Sequence, residues 1–150
     1  MTAVIDTPVG PLGVETADGA VTGVTWHAKE RGEPCDVALE AAAQLRAYFD
    51  GRLTRFDLPL APKGSPFELE VFAQMQAIPF GETRAYGEIA ATLGTYGQPV
   101  GRACGRNPIP VIIPCHRVLS AEGLGGFSGM GGVETKIALL QHEGGYPFLL

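Results

Sequence analysis

The sequence predicts two lobes, a small α/β unit over residues 1–62 and a mainly α unit over 63–150 that carries a helix-turn-helix outline. Three observations predict this. Residues 2–26 are rich in β-branched side chains interrupted by glycine; DLPLAPKGSPF (57–67) holds three prolines and a glycine; and helical periodicity dominates the chain beyond that segment. At 150 residues, 45% apolar and 18% charged, the chain is globular and long enough for one compact unit with its own core or for two small lobes sharing an interface. No apolar run approaches the roughly 18 residues of a membrane span. The N-terminus shows no basic stretch followed by an apolar one, so the expected compartment is the cytoplasm.

VGPLGVETADGAVTGVTW reads as short strands turning at Asp18-Gly19, a hairpin dipeptide. A helix is predicted from about Asp36, with Ala38, Ala42, Leu45 and Phe49 on its inner face and Gly51 just past its end. The segment 57–67 is the linker and the domain boundary. Ser65, Pro66 and Glu68 form a capping box with proline at the first helical position, and that helix turns Phe67, Val71, Phe72 and Met75 inward. IPFGET breaks it. TRAYGEIAATLG places Tyr86, Ile89 and Leu93 on one face and ends at Gly94; a short second helix is expected over roughly 97–106. The loop 107–131 is long and glycine-rich, and loops of that length are functional or disordered. A last helix from about Val133 to Glu143 is expected to bury Val133, Ile137 and Leu140.

The three cysteines, Cys35, Cys104 and Cys115, are widely spaced, so free thiols are a better reading than disulfides or a zinc site. Cys35 and Cys104 read as small buried fillers. Net charge is −5, which argues mildly against nucleic acid, but the acid is unevenly spread. Residues 1–62 carry five Lys/Arg against nine Asp/Glu, and 63–150 carry six against seven. Arg102, Arg106 and Arg117 fall in a stretch with no acidic residue between Glu88 and Glu122, a local surface suited to a phosphate backbone.

IIPCHRVLS (112–120) sets Cys115 beside His116 between apolar flanks. Such a setting raises a thiol pKa unless something stabilises the thiolate. Adjacent residues of an extended segment point opposite ways, so a Cys115–His116 partnership needs a bridging water or a turn at Pro114. Glu143 on the last helix is the candidate to fix the imidazole tautomer. Chemistry alone leaves Cys115 as either a nucleophile or a structural cysteine.

NPIPVIIPCHRVL (107–119) resembles the active-site signature of the O6-alkylguanine-DNA alkyltransferases, or methylated-DNA–protein-cysteine methyltransferases. The likeness extends through IPFGETRAYGEIA before it and the GGFSG, Lys, Leu-Leu and Glu-Gly positions after it; QLRAYFDGRLTRFDLPL resembles part of that family's first domain more faintly. The resemblance implies a ribonuclease-H-like N-terminal lobe and a winged-helix-like C-terminal lobe that binds double-stranded DNA from the minor groove. It also implies flipping of the damaged guanine and one irreversible transfer of its O6-alkyl group to the protein. It implies no cofactor, no metal, no membrane partner and a monomer. Residue by residue, Cys115 would accept the alkyl group, His116 would act as base through water, and Glu143 would orient His116. Tyr86 would protonate the leaving guanine and Asn107 would tie the turn before the active-site segment. Pro110, Leu124, Gly125 and Ser128 would line the pocket, and Gln98, Arg102 and Arg106 would face DNA.

This chain departs from the pattern where an arginine of the recognition helix holds the place of the flipped base. Gln98 stands there, followed by Pro99, with the approach from Gly94 about two residues short. Arg102 is the candidate to compensate. Phe127 replaces a frequent tyrosine, and Met130-Gly131 resemble a small insertion. Weaker DNA binding or less efficient flipping, with intact chemistry, is expected. The rival readings are a sensor that binds alkylated DNA without repairing it, a cysteine hydrolase using Cys115, His116 and Glu143, and an idle thiol. The acceptor cysteine argues against the sensor, and the adjacent Cys–His pair against the hydrolase.

Overall fold

The computed structural model describes residues 2–26, 35–120 and 132–144, and the chain divides into two compact units, Met1–Lys63 and Gly64–Leu150. The first unit is an antiparallel sheet of β1 (Thr2–Ile5), β2 (Leu12–Ala17) and β3 (Ala20–Trp26), in that order, with α1 (Asp36–Phe49) packed against it. The β2–β3 turn uses Asp18 and Gly19 at φ 50° and 78°, left-handed values that aspartate tolerates and glycine adopts freely. Leu12, Val14, Val21 and Val24 from the sheet and Ala38, Ala41, Ala42, Leu45 and Tyr48 from α1 are buried together. Tyr48, rather than the expected Phe49, completes the inner face of α1. It lies edge-on to Phe49 at 4.9 Å and against Phe56 at 5.4 Å, so the two phenylalanines flank it.

The expected linker is not wholly a linker. Val21 donates to the Pro59 carbonyl (2.8 Å) and accepts from Ala61 N–H (2.8 Å), which ties residues 59–61 to β3. Cys35 also differs from expectation. It is half-buried at the N-cap of α1, 3.2 Å from Thr16 Oγ1, rather than filling the core.

The second unit comprises α2 (Pro66–Gln76), β4 (Arg84–Ala85), α3 (Tyr86–Leu93), α4 (Gly97–Gly105), β5 (Val118–Leu119) and α5 (Val133–Glu143). The Ser65–Glu68 capping box starts α2, and Gly94 ends α3 in the left-handed region. Pro99 sits in the first turn of α4, where its missing N–H disrupts no helical bond. Val71, Phe72, Met75, Ile78, Ile89, Val100, Ile109, Ile113, Leu139 and Leu140 make the core. Cys104 fills space there, its thiol 3.6 Å from the Met75 sulfur.

α5 is rotated from its expected orientation. Val133 is 39% exposed and Ile137 half-buried, whereas Thr135, Lys136, Leu139, Leu140 and Glu143 face inward. Two charged side chains displace apolar ones because the interior supplies each with partners: the Val118 carbonyl for Lys136, and His116 and Arg117 for Glu143. No described helix is long and apolar enough to cross a membrane.

Candidate active site

The site is assembled by the segment that continues from α4. Asn107 clips it into shape: its Nδ2–H donates to the Ile113 carbonyl (2.8 Å) and its Oδ1 accepts from Ile109 N–H (2.9 Å). Inside the clip lies Val111, buried at φ 71°. A β-branched residue in that region costs about 1–3 kcal/mol and persists only where its surroundings enforce it. We therefore expect Asn107→Ala to lower the stability of the second unit by about 1–3 kcal/mol, through the buried Ile113 carbonyl and Ile109 N–H left without this partner. Urea denaturation followed by far-ultraviolet circular dichroism checks this; an unchanged midpoint contradicts it.

The segment ends in a single 3-10 turn, Cys115–Arg117, closed by Arg117 N–H donating to the Pro114 carbonyl (3.0 Å). The turn replaces the extended geometry in which neighbouring side chains diverge. β5 comes immediately after and pairs in parallel with β4, Arg84 opposite Val118 and Ala85 opposite Leu119. That pairing sets Tyr86, the first residue of α3, beside the end of the Cys115 segment.

His116 and Glu143 are buried, and His116 Nε2–H donates to Glu143 Oε2 at 2.7 Å. A carboxylate only accepts, so this bond assigns the proton to Nε2 and leaves Nδ1 as the acceptor of the neutral ring. Nδ1 is buried and makes no hydrogen bond among the described residues. Arg117 is buried too. It donates from Nε to Glu143 Oε1 (2.8 Å), from Nη2 to Oε2 (3.0 Å) and from Nη1 to the Ile78 carbonyl (2.6 Å), with Phe80 under its guanidinium at 5.9 Å. This corrects its placement among phosphate-facing arginines. Its charge is spent on Glu143, which holds the C-terminal end of α5 to the reactive turn.

Lys136 is fully buried; its Nζ donates to the Val118 carbonyl (2.7 Å) and lies 5.9 Å from the centre of the Tyr86 ring. Burial drives the lysine down to about 8, against the pull of Cys115 and Cys104. Burial likewise pushes the Cys115 thiol up, while the Asn107 side chain and the Lys136 charge act in the opposite sense. Tyr86 is pushed up to about 12, first by burial and then by Cys104 and Cys115. Burial holds His116 down despite Glu143, so its resting form is the neutral base. The result is a neutral thiol, a cation able to stabilise its ionised form, a neutral imidazole and a phenol that keeps its proton.

The structure thus brings Cys115, His116 and Glu143 into one buried cluster, with Asn107 shaping the segment and Tyr86 adjoining it. Pro110 is buried within the clipped segment. Leu124, Gly125 and Ser128 lie outside the described residues, as do Phe127 and Met130-Gly131. Gln98, Arg102 and Arg106 are all exposed, on α4 and at its C-terminal end, and Arg106 pairs with Glu68 at 3.0 Å. Among the described residues no three His, Cys, Asp or Glu side chains form a group able to hold a metal ion. Lys136 entered the sequence reading only as a position of the family likeness, with no role assigned. Its spacing from Glu143, two helical turns on one face, is the signal that would have found it.

Residues 66–145 match the family described as 6-O-methylguanine DNA methyltransferase, DNA binding domain. A methylated-DNA–protein-cysteine methyltransferase of Mycolicibacterium paratuberculosis is 41% identical, over 93% of this chain and 89% of its own length. Another from Methanosarcina acetivorans is 39% identical over 95% and 97%. Among solved structures, Mycobacterium tuberculosis OGT in complex with DNA superimposes with a TM-score of 0.83 at 41% identity, covering 94% of this chain and 91% of that one.

Proposed function

The chain belongs to the 6-O-methylguanine DNA methyltransferase family, and from that premise we propose that Cys115 is its alkyl acceptor, served by His116, Glu143, Tyr86 and Asn107. The protein repairs double-stranded DNA by direct reversal, acting as a methyltransferase that moves the alkyl group of O6-alkylguanine onto its own cysteine. The observation that carries the residue assignment is the buried 2.7 Å bond to Glu143 of α5 made by His116, which shares its turn with Cys115.

The reaction derives from these groups. The carbon on O6 of guanine is a weak electrophile, so the sulfur must attack as thiolate. His116 Nδ1 takes the thiol proton, relayed by water, and the Glu143 carboxylate stabilises the imidazolium that forms. The Lys136 cation stabilises the thiolate. A sulfur–carbon bond forms as the carbon–O6 bond breaks, and the electron pair remains on guanine. Tyr86, still protonated across the physiological range, donates to that base. The proton held on His116 returns through water to the Tyr86 phenolate, so the net proton transfer runs from Cys115 to the released guanine. The thioether has no route back, so each molecule acts once.

The reacting carbon is out of reach in a stacked duplex, so the nucleotide must leave the helix, at about a few kcal/mol. We read α3, the turn at residues 94–96 and α4 as a helix-turn-helix of winged-helix-like type, with α4 towards DNA. The exposed Arg102 and Arg106, on α4 and at its C-terminal end, support that reading. The sheet of β1–β3 with α1 packed on it supports a ribonuclease-H-like first lobe over 1–62. Pro110 with Leu124, Gly125 and Ser128 is our assignment for the pocket wall. The sensor reading is not favoured, because Cys115 stands at the acceptor position.

The test is intact mass after incubation with a duplex carrying one O6-methylguanine. Wild type should gain the mass of one methyl group per chain, and Cys115→Ser none. No gain in wild type, or an equal gain in Cys115→Ser, overturns the assignment.

A further inference from the structure

An extruded base leaves a gap in the stack, and something must fill it for the open state to persist. Proteins that open a step insert flat or apolar side chains, since stacking is recovered only by groups with a face to offer. Gln98, uncharged and polar, is poorly suited.

Two residues earlier stands Tyr96. It is 67% exposed, more than Leu39 at 52%, Leu69 at 41% or Val133 at 39%, and so is the most exposed large apolar side chain among the described residues. A single exposed tyrosine is unremarkable in itself; its position is what matters. Tyr96 occupies the N-cap of α4 in extended backbone, φ −128° and ψ 173°, and its side chain makes no capping bond. It thus serves neither the core nor the helix end. The next residue, Gly97, packs so near α3 that an added Cβ would lie 3.8 Å from the Cβ of Tyr86. The exposed ring is therefore one residue from a contact with the tyrosine that adjoins Cys115. Its electrostatic setting suits DNA: the first turn of α4 carries no acidic residue, Arg102 is exposed further along, and the helix start is the positive end of its dipole.

We propose that Tyr96 enters the base stack at the place the alkylated nucleotide vacates and so holds the flipped state open. This rests on the reading of Cys115 as acceptor and of α4 as the DNA-facing helix. Gln98 then has a supporting polar role at the same lip.

The experiment compares single-turnover methyl transfer from a duplex containing O6-methylguanine with transfer from the free base O6-methylguanine, which needs no flipping. Tyr96→Ala should slow the duplex reaction by about tenfold or more, the loss of one stacked face, and leave the free-base reaction unchanged. Tyr96→Phe, which keeps the ring, should restore the duplex rate. Equal duplex rates for Tyr96→Ala and wild type overturn the proposal, as does a parallel loss on both substrates, which marks a structural role. Should wild type act on neither substrate, the acceptor reading fails instead. Tyr96 is then judged by a 2-aminopurine placed beside the lesion, quenched by bound wild type and Tyr96→Phe but not by Tyr96→Ala; equal quenching by all three overturns it.

Discussion

Glu143→Gln should both melt the second unit early and stop methyl transfer, and the two losses should prove separable. Glu143 accepts one hydrogen bond from His116 and two from Arg117. An amide in its place turns an NH2 toward one of these donors and leaves the Arg117 charge buried without a carboxylate. Removing one partner of a buried ion pair costs about 3–5 kcal/mol, and for a unit of this size that lowers the melting temperature by about 12–40 °C. The chemical loss has a different origin. Without the carboxylate, His116 has no anion to balance its protonated form, and disabling a general base in this way slows a reaction by up to about 10²–10⁴-fold.

The double variant Arg117→Met/Glu143→Gln separates these effects. With no buried cation left unpaired, much of the thermal stability should return, because a buried pair replaced on both sides is often close to neutral. Transfer should stay as slow as in the single variant, since His116 still lacks its carboxylate. Recovery of transfer together with stability would show that Glu143 serves only the fold. Calorimetry and single-turnover rates on the same preparations decide between them.

These effects also show which features the sequence exposes and which it hides. The Asp18-Gly19 turn, the Ser65–Glu68 cap and the bounds of α5 are legible because each depends on residues within one turn of each other. The Cys115–His116 motif is legible as chemistry for the same reason. The inner face of α5 is not. Periodicity assigns apolar residues inward, and Lys136 and Glu143 override it only because Val118, His116 and Arg117 meet them from at least 18 positions away. The role of Arg117 is hidden likewise: a basic residue in an acid-free stretch reads as surface until its carboxylate partner, 26 residues on, is brought to it. The β4–β5 pair, two residues on each side, is too short for a pattern, yet it is what seats Tyr86 beside the site.

Lys136→Met should give the clearest pH signature. The methionine fills similar volume without charge, so the thiolate of Cys115 loses a stabilising cation and forms at higher pH. If that cation is worth about one pKa unit, transfer below the thiol's pKa slows about tenfold. In wild type, the rate should rise with pH and then flatten near 8, where Lys136 loses its proton and its help to the thiolate. In Lys136→Met that flattening disappears and the rise continues to higher pH. Stability should move in the opposite sense. The folded pKa of Lys136, about 8, lies below its ordinary 10.5, so the unfolded chain binds more protons between those values. Stability gained by wild type as pH rises through that window is therefore relief of a buried charge, and the methionine variant should lack it. A variant with a flat loss of rate at every pH and an unchanged stability profile would mean that Lys136 acts through packing and the Val118 carbonyl alone.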